Sequence, residues 1–128
     1  GFTCGAFDLL HAGHLLMLKD AADQCDFLVV GLQSDPSIDR PDKAKPVESM
    51  EERRIRLKAC RYVDKIVEYD TEADLVALLK DLRPSVRFVG EDWKGKPYTG
   101  DDLKIPVIYN PRGHEFSSSN LRKRIKEC

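Results

Sequence analysis

The sequence predicts an α/β fold: a Rossmann-like, doubly wound five-stranded parallel sheet with helices on both faces, formed as a single domain over residues 1–128. Three observations point there. Short apolar runs alternate with segments whose apolar residues recur at helical spacing, the pattern of a parallel sheet with crossover helices. One run, Phe27-Leu28-Val29-Val30, is unbroken, as in a strand covered on both faces. With 128 residues, 41% hydrophobic and 34% charged, the chain has the length of one domain and can bury roughly two thirds of its unfolded surface.

The elements follow in order. Phe2 and Cys4 just before Gly5 read as a strand end, so the first strand is expected at residues 2–4. Leu15, Leu16, Leu18, Ala21 and Ala22 form a helical stripe over 12–24. The second strand is expected within 26–33. Residues 34–46 carry three prolines, three acidic and three basic residues with almost no apolar content, an exposed loop of functional length. Ser49 followed three residues later by Glu52 is a capping box opening a helix to about residue 60. A third strand is expected at 65–69. Thr71 caps a helix over 72–82 that Pro84 ends, and strands follow at 86–89 and 106–109. A basic helix over 119–127 closes the chain. Right-handed crossovers and the switch-point rule place a ligand beyond the strands' carboxyl ends, at 5–14, 34–45, 90–95 and 110–119.

Composition excludes several classes. Lys plus Arg is 21 and Asp plus Glu 22, a net charge of −1, whereas a dedicated nucleic-acid binder carries a clear positive excess. No apolar run approaches the ~18 residues of a membrane span, so neither nucleic acid nor membrane is an expected partner. Cys4, Cys25, Cys60 and Cys128 form no CxxC pair, which removes a zinc ribbon and reads as reduced thiols in a cytoplasmic setting. No secretory leader is recognisable. The chain opens without Met in what reads as mid-strand, so a few native residues are expected before Gly1.

The chemistry concentrates in Gly5-Ala6-Phe7-Asp8-Leu9-Leu10-His11-Ala12-Gly13-His14, which joins the first strand to the first helix. A helix start presents unpaired amides and a positive dipole end to phosphate. His11 and His14 share a face of the first turn, and Gly13 between them admits a ligand. Two imidazoles beside a phosphate suit stabilisation of charge in an in-line displacement. The competing reading is one capping and one surface histidine. Zinc is disfavoured without further Cys or His nearby, and no metal ligand is assigned.

GAFDLLHAGH at 5–14, RYVDKIV at 61–67, GEDWKGK at 90–96 and SSSNLRKRI at 117–125 together resemble the nucleotidyltransferase superfamily with the HxGH signature, and within it the glycerol-3-phosphate cytidylyltransferases. The resemblance covers essentially the whole chain. It implies catalytic roles for His11, His14 and Arg112, and for a phosphate-binding lysine that is either Lys43 or Lys45. It implies nucleotide contacts from Gly5, Ala6, Phe7, Gly13, Asp92, Arg112, Ser117 and Ser118. Asp8, Arg53, Arg61 and Trp93 are the expected acceptor contacts. Gly113-His114-Glu115 departs from the family pattern, which has Thr and small residues there.

The expected reaction joins CTP to a small phosphorylated alcohol, sn-glycerol 3-phosphate, releasing pyrophosphate and giving CDP-glycerol. Mg²⁺ is expected to arrive with the triphosphate, held largely by its oxygens. The alternatives are an adenylyltransferase of the same superfamily acting on a sugar phosphate, FMN or a phosphopantetheine-like acceptor, and a non-catalytic nucleotide-binding module. The family is typically dimeric, so a twofold homodimer with residues 61–64 at the contact is expected.

Overall fold

The computed structural model describes residues 1–128. Strand β1 (Phe2–Gly5) leads into helix α1 (Ala12–Asp23) and strand β2 (Val29–Gln33). Helix α2 (Met50–Lys58), strand β3 (Lys65–Tyr69), helix α3 (Glu72–Leu82) and strand β4 (Arg87–Gly90) follow. Two 3₁₀ turns, Glu91–Trp93 and Asp101–Leu103, precede strand β5 (Val107–Asn110) and helix α4 (Ser118–Lys126).

The sheet is wholly parallel in the order β3-β2-β1-β4-β5, so the expected fold stands. The chain winds from β1 outward to β3, then restarts on the other side of β1 with β4. That reversal is the switch point. β1 and β2 stay in register from Phe2↔Val29 to Gly5↔Leu32. β1 and β4 pair only at Phe2↔Arg87, so their carboxyl ends splay apart. The Thr3 hydroxyl spans the start of the gap by donating to the Phe88 carbonyl at 3.2 Å.

Alternation along the strands divides the core. Val30 and Leu32 meet Leu18 and Ala21 of α1 and Leu57 of α2 on one face. On the other, Leu75 and Leu79 of α3 cover Phe2 and Tyr69. Gly31 belongs to that second face: a Cβ there would lie 2.9 Å from the Phe2 ring, so glycine lets the ring cross β2. Capping boxes built by Ser49 with Glu52 and by Thr71 with Asp74 start α2 and α3.

Three details differ from the sequence reading. β2 begins at Val29, because Phe27 lies in an exposed bend. α4 begins at Ser118, with Ser117 as its cap. The 34–46 loop has local anchors after all: the Asp35 carboxylate accepts from the Ser37 amide (2.9 Å) and hydroxyl (2.6 Å). Asp39 accepts from the Glu72 amide at 2.6 Å, and Arg40 lies 3.6 Å from Glu72.

Candidate active site

A cleft of about 860 Å³ opens where β1 and β4 diverge. One end of it is built by the β1–α1 turn. His11 is the N-cap of α1 and His14 its third residue, and each ring serves the other's backbone. The His14 amide donates to His11 Nδ1 at 3.3 Å, and the His11 amide donates to His14 Nδ1 at 3.2 Å. The rings stack, with centroids 3.7 Å apart. This is a capping box in which both side chains are imidazoles, and both rings also line the cleft.

The arrangement settles the tautomers. A ring nitrogen that accepts an amide proton carries none itself, so each Nδ1 is bare and each Nε2 carries the hydrogen. Burial, then the neighbouring His11, pushes the His14 imidazole down to about 3. His11 is also lowered, by burial first and then by His114 and Arg112. Both rings are therefore neutral N–H donors at physiological pH. His14 lies mostly buried beneath the cleft, its ring 5.2 Å from that of Phe7.

Phe7 and Leu9 adopt left-handed backbone angles, φ 48° and 52°, unusual for such residues. Polar contacts hold the turn in that shape. Asp8 is buried, and its carboxylate accepts from the amides of Val47 and Glu48 and from Arg122 of α4. Glu48 accepts from the Leu9 amide at 2.6 Å and pairs with Arg56. Ser118 donates its hydroxyl to the Asp8 carbonyl at 3.0 Å. These bonds tie the turn, the end of the 34–48 segment and α4 together.

Several assignments therefore change. Asp8 was expected to contact the acceptor, but its carboxylate is committed to backbone and Arg122. Arg53 was also expected there. It is buried, and its guanidinium donates to the carbonyls of Ala6, Gln33, Ser34 and Glu48, three chain segments that frame the cleft. Arg61 lies outside the cleft, beside a second groove with Leu15, Leu16 and Phe116, its guanidinium over the Tyr62 ring. Phe7 and Ala6 do not line the cleft: the Phe7 ring is core, and the Ala6 carbonyl is taken by Arg53.

The cleft does gather Gly5, Gly13, His11, His14, Asp92, Trp93, Arg112, Ser117 and Ser118. Arg112 pairs with Asp92 at 2.7 Å, and its amide donates to Glu91, which ties the end of β5 to the turn after β4. Of the two loop lysines, Lys43 lines the cleft and Lys45 stands exposed outside its wall. Sequence reasoning missed Gln33, Arg87 and Asn110, buried polar side chains of three strands that also line the cleft. Arg87 was detectable as a charge inside the apolar run Val86–Val89, where only a polar partner on the covered face could accommodate it.

No helix is long and apolar enough to cross a membrane. No group of three or more His, Cys, Asp or Glu is arranged to hold a metal. Of the carboxylates that line the cleft, Asp92 and Glu72 are each paired with an arginine, and Asp101 accepts from the Tyr98 amide.

A family model described as Cytidylyltransferase-like matches residues 2–124. The chain is 38% identical over 128 residues to the Bifunctional protein HldE of Campylobacter concisus, across 99% of this chain and 27% of that protein. It is 40% identical to the Bifunctional protein HldE of Wolinella succinogenes, across 98% of this chain and 26% of that one. The chain thus spans about a quarter of the length of these relatives. Among solved structures, the lipopolysaccharide core biosynthesis protein of Thermoplasma volcanium superposes with a TM-score of 0.69 at 22% identity, covering 90% of this chain and 96% of that one. Pantothenate synthetase of Thermus thermophilus gives 0.68 at 18% identity, covering 98% and 63%. At those identities the likeness is one of fold.

Proposed function

We propose that this chain, which belongs to the cytidylyltransferase-like family, transfers a nucleotidyl group from a nucleoside triphosphate to a sugar phosphate, with ATP as donor. An oxygen of the acceptor phosphate attacks the α-phosphorus. The bond from that phosphorus to the bridging oxygen breaks, and pyrophosphate leaves. The observation that carries the reading is the pair of neutral imidazoles, each with Nε2–H free and Nδ1 committed, at the floor of a cleft over the switch point. Fixed neutral donors stabilise charge developing on phosphate without reorganising. The acceptor phosphate is its own nucleophile, so positioning and charge stabilisation suffice.

Arg112 and Lys43 supply cationic contacts to the triphosphate from two walls of the cleft. Asp92 is the carboxylate placed beside Arg112, so Mg²⁺ in this reading is held chiefly by the nucleotide's oxygens, neutralising charge on the leaving pyrophosphate. The similarity to the HldE proteins supports adenylyl transfer to a sugar phosphate over cytidylyl transfer to glycerol 3-phosphate, the reverse of the order reached from the sequence alone. Gly90–Lys96, reading GEDWKGK, favours the cytidylyl alternative and keeps it as the second reading. Two copies are proposed to associate through the groove beside Arg61 and Tyr62.

A pyrophosphate-release screen crossing ATP and CTP with sugar 1-phosphates and glycerol 3-phosphate tests the reading. Release with ATP and a sugar phosphate supports it. Release only with CTP and glycerol 3-phosphate selects the second reading, and release with no pair overturns both.

A further inference from the structure

His114 is the third histidine of the chain, and it sits in the loop between β5 and α4. The proposed reaction needs only the pair on α1, and neither the sequence reading nor the family resemblance gives His114 a task. Its position is nonetheless specific. A Cβ added to Gly13 would lie 2.8 Å from His114 Cε1 and 3.0 Å from both Cε1 and Nδ1 of His11. Two imidazoles from opposite walls therefore converge over one glycine of the first turn of α1. Gly13 is glycine because both rings need that space.

The hydrogen-bond pattern repeats that of the pair. The Phe116 amide donates to His114 Nδ1 at 3.1 Å. His114 Nδ1 is thus bare and Nε2 carries the proton, as in His11 and His14. Phe116 stacks on the ring, with centroids 5.2 Å apart, and holds its plane. Arg112 precedes His114 by two residues and Ser117, the cap of α4, follows by three; all three line the cleft. His114 is half-buried. A plain turn residue would need none of this convergence.

We propose that His114 is a third phosphate-contacting imidazole, which donates Nε2–H to the triphosphate from the wall opposite His11. The inference rests on the nucleotidyl-transfer reading and names a residue for it. Three fixed N–H donors around one anion resemble an oxyanion hole assembled from one helix start and one loop.

The test uses the intact chain and three variants. His114→Phe keeps the ring and its stacking on Phe116 but removes the donor. His114→Gln returns an N–H at nearly the same position. His14→Ala, which removes the donor, serves as the control for the site itself. Binding of inorganic tripolyphosphate is followed through the histidine Cε1–H resonances, and turnover by pyrophosphate release. In the wild-type chain the His114 resonance should move with those of His11 and His14. His114→Phe should weaken tripolyphosphate binding about fivefold and lower turnover roughly tenfold to a hundredfold, and His114→Gln should recover most of both. A His114 resonance that stays fixed while His11 and His14 respond, or a His114→Phe variant with wild-type turnover beside an inactive His14→Ala, overturns the role of His114 alone. A wild-type chain that releases no pyrophosphate while binding tripolyphosphate through all three histidines overturns the reaction and leaves the anion contact standing. Absence of any tripolyphosphate response overturns both.

Discussion

Gly13→Ala separates folding from chemistry in one methyl group. Gly13 is buried in the first turn of α1. As a helical residue, alanine there is better than glycine by about 0.8–1 kcal/mol. Against that stands contact: the new Cβ would sit 2.8 Å from His114 Cε1 and 3.0 Å from two atoms of His11. Carbon atoms in contact prefer about 3.5 Å or more, so each imidazole must retreat by roughly 0.5–0.7 Å. His114 belongs to an exposed loop and can move. His11 can move only by loosening its bond to the His14 amide, which costs about 1 kcal/mol. The two effects nearly cancel, and net stability should change by less than about 1 kcal/mol. Turnover should not survive as well, because a donor misplaced by that distance costs on the order of tenfold to a hundredfold. Thermal melts and pyrophosphate release on the same preparation measure both. A folded Gly13→Ala variant with turnover within twofold of wild type would refute the convergence of imidazoles on the reacting phosphate.

Further expectations concern the elements around that site. The His14 imidazole is held down to about 3 against 6.5 in an unfolded chain, so below pH 6.5 the unfolded state binds the proton and the folded state does not. Stability should therefore fall as pH falls, by about 1.4 kcal/mol per pH unit between roughly pH 6 and pH 4. His14→Ala, which removes the imidazole, should flatten that slope while lowering turnover at least about a hundredfold; an unchanged slope in urea titrations would count against the assignment. Arg53→Met leaves four carbonyl acceptors without their donor and should cost about 3–5 kcal/mol in denaturant unfolding, with a loss below 1 kcal/mol contradicting its framing role. Lys43→Ala should weaken triphosphate binding and Lys45→Ala should not, and equal effects would remove the distinction drawn from the cleft wall. Proteinase K should cut near residues 41–46, beyond the Asp35 and Asp39 anchors, and saturating nucleotide with Mg²⁺ should protect them; equal cutting would contradict a contact between Lys43 and the triphosphate.

The fold was legible because its signals are local. Periodicity marked α1, Ser49 and Thr71 announced the caps of α2 and α3, and the apolar run at 27–30 announced a strand covered on both faces. The histidine pair was legible for the same reason, since both residues sit on one turn. Asp8 and Arg53 were misread because their partners are distant in sequence. Arg53 lies between charged neighbours and looks like a solvated helix residue, yet it precedes buried Leu57 by one turn and shares its face. Reading it required knowing that the ends of β1 and β2 would place unpaired carbonyls above that face. His114 was visible only as an unusual residue, because nothing local brings a loop after β5 to Gly13, 101 positions earlier in the chain. Arg61 was placed with the acceptor by likeness of motif, and the sheet order carries it to another surface.

The central claim is that the cleft moves an α-phosphoryl nucleotide unit onto an acceptor phosphate. Nucleoside triphosphate labelled with ³²P at the α position, incubated with the chain, Mg²⁺ and a sugar phosphate, tests it in one separation. The account predicts that the label appears in a nucleotide-sugar product, that pyrophosphate forms unlabelled in equal amount, and that His14→Ala yields neither. Label recovered as free nucleoside monophosphate, or a His14→Ala variant that forms labelled product at the wild-type rate, would contradict it.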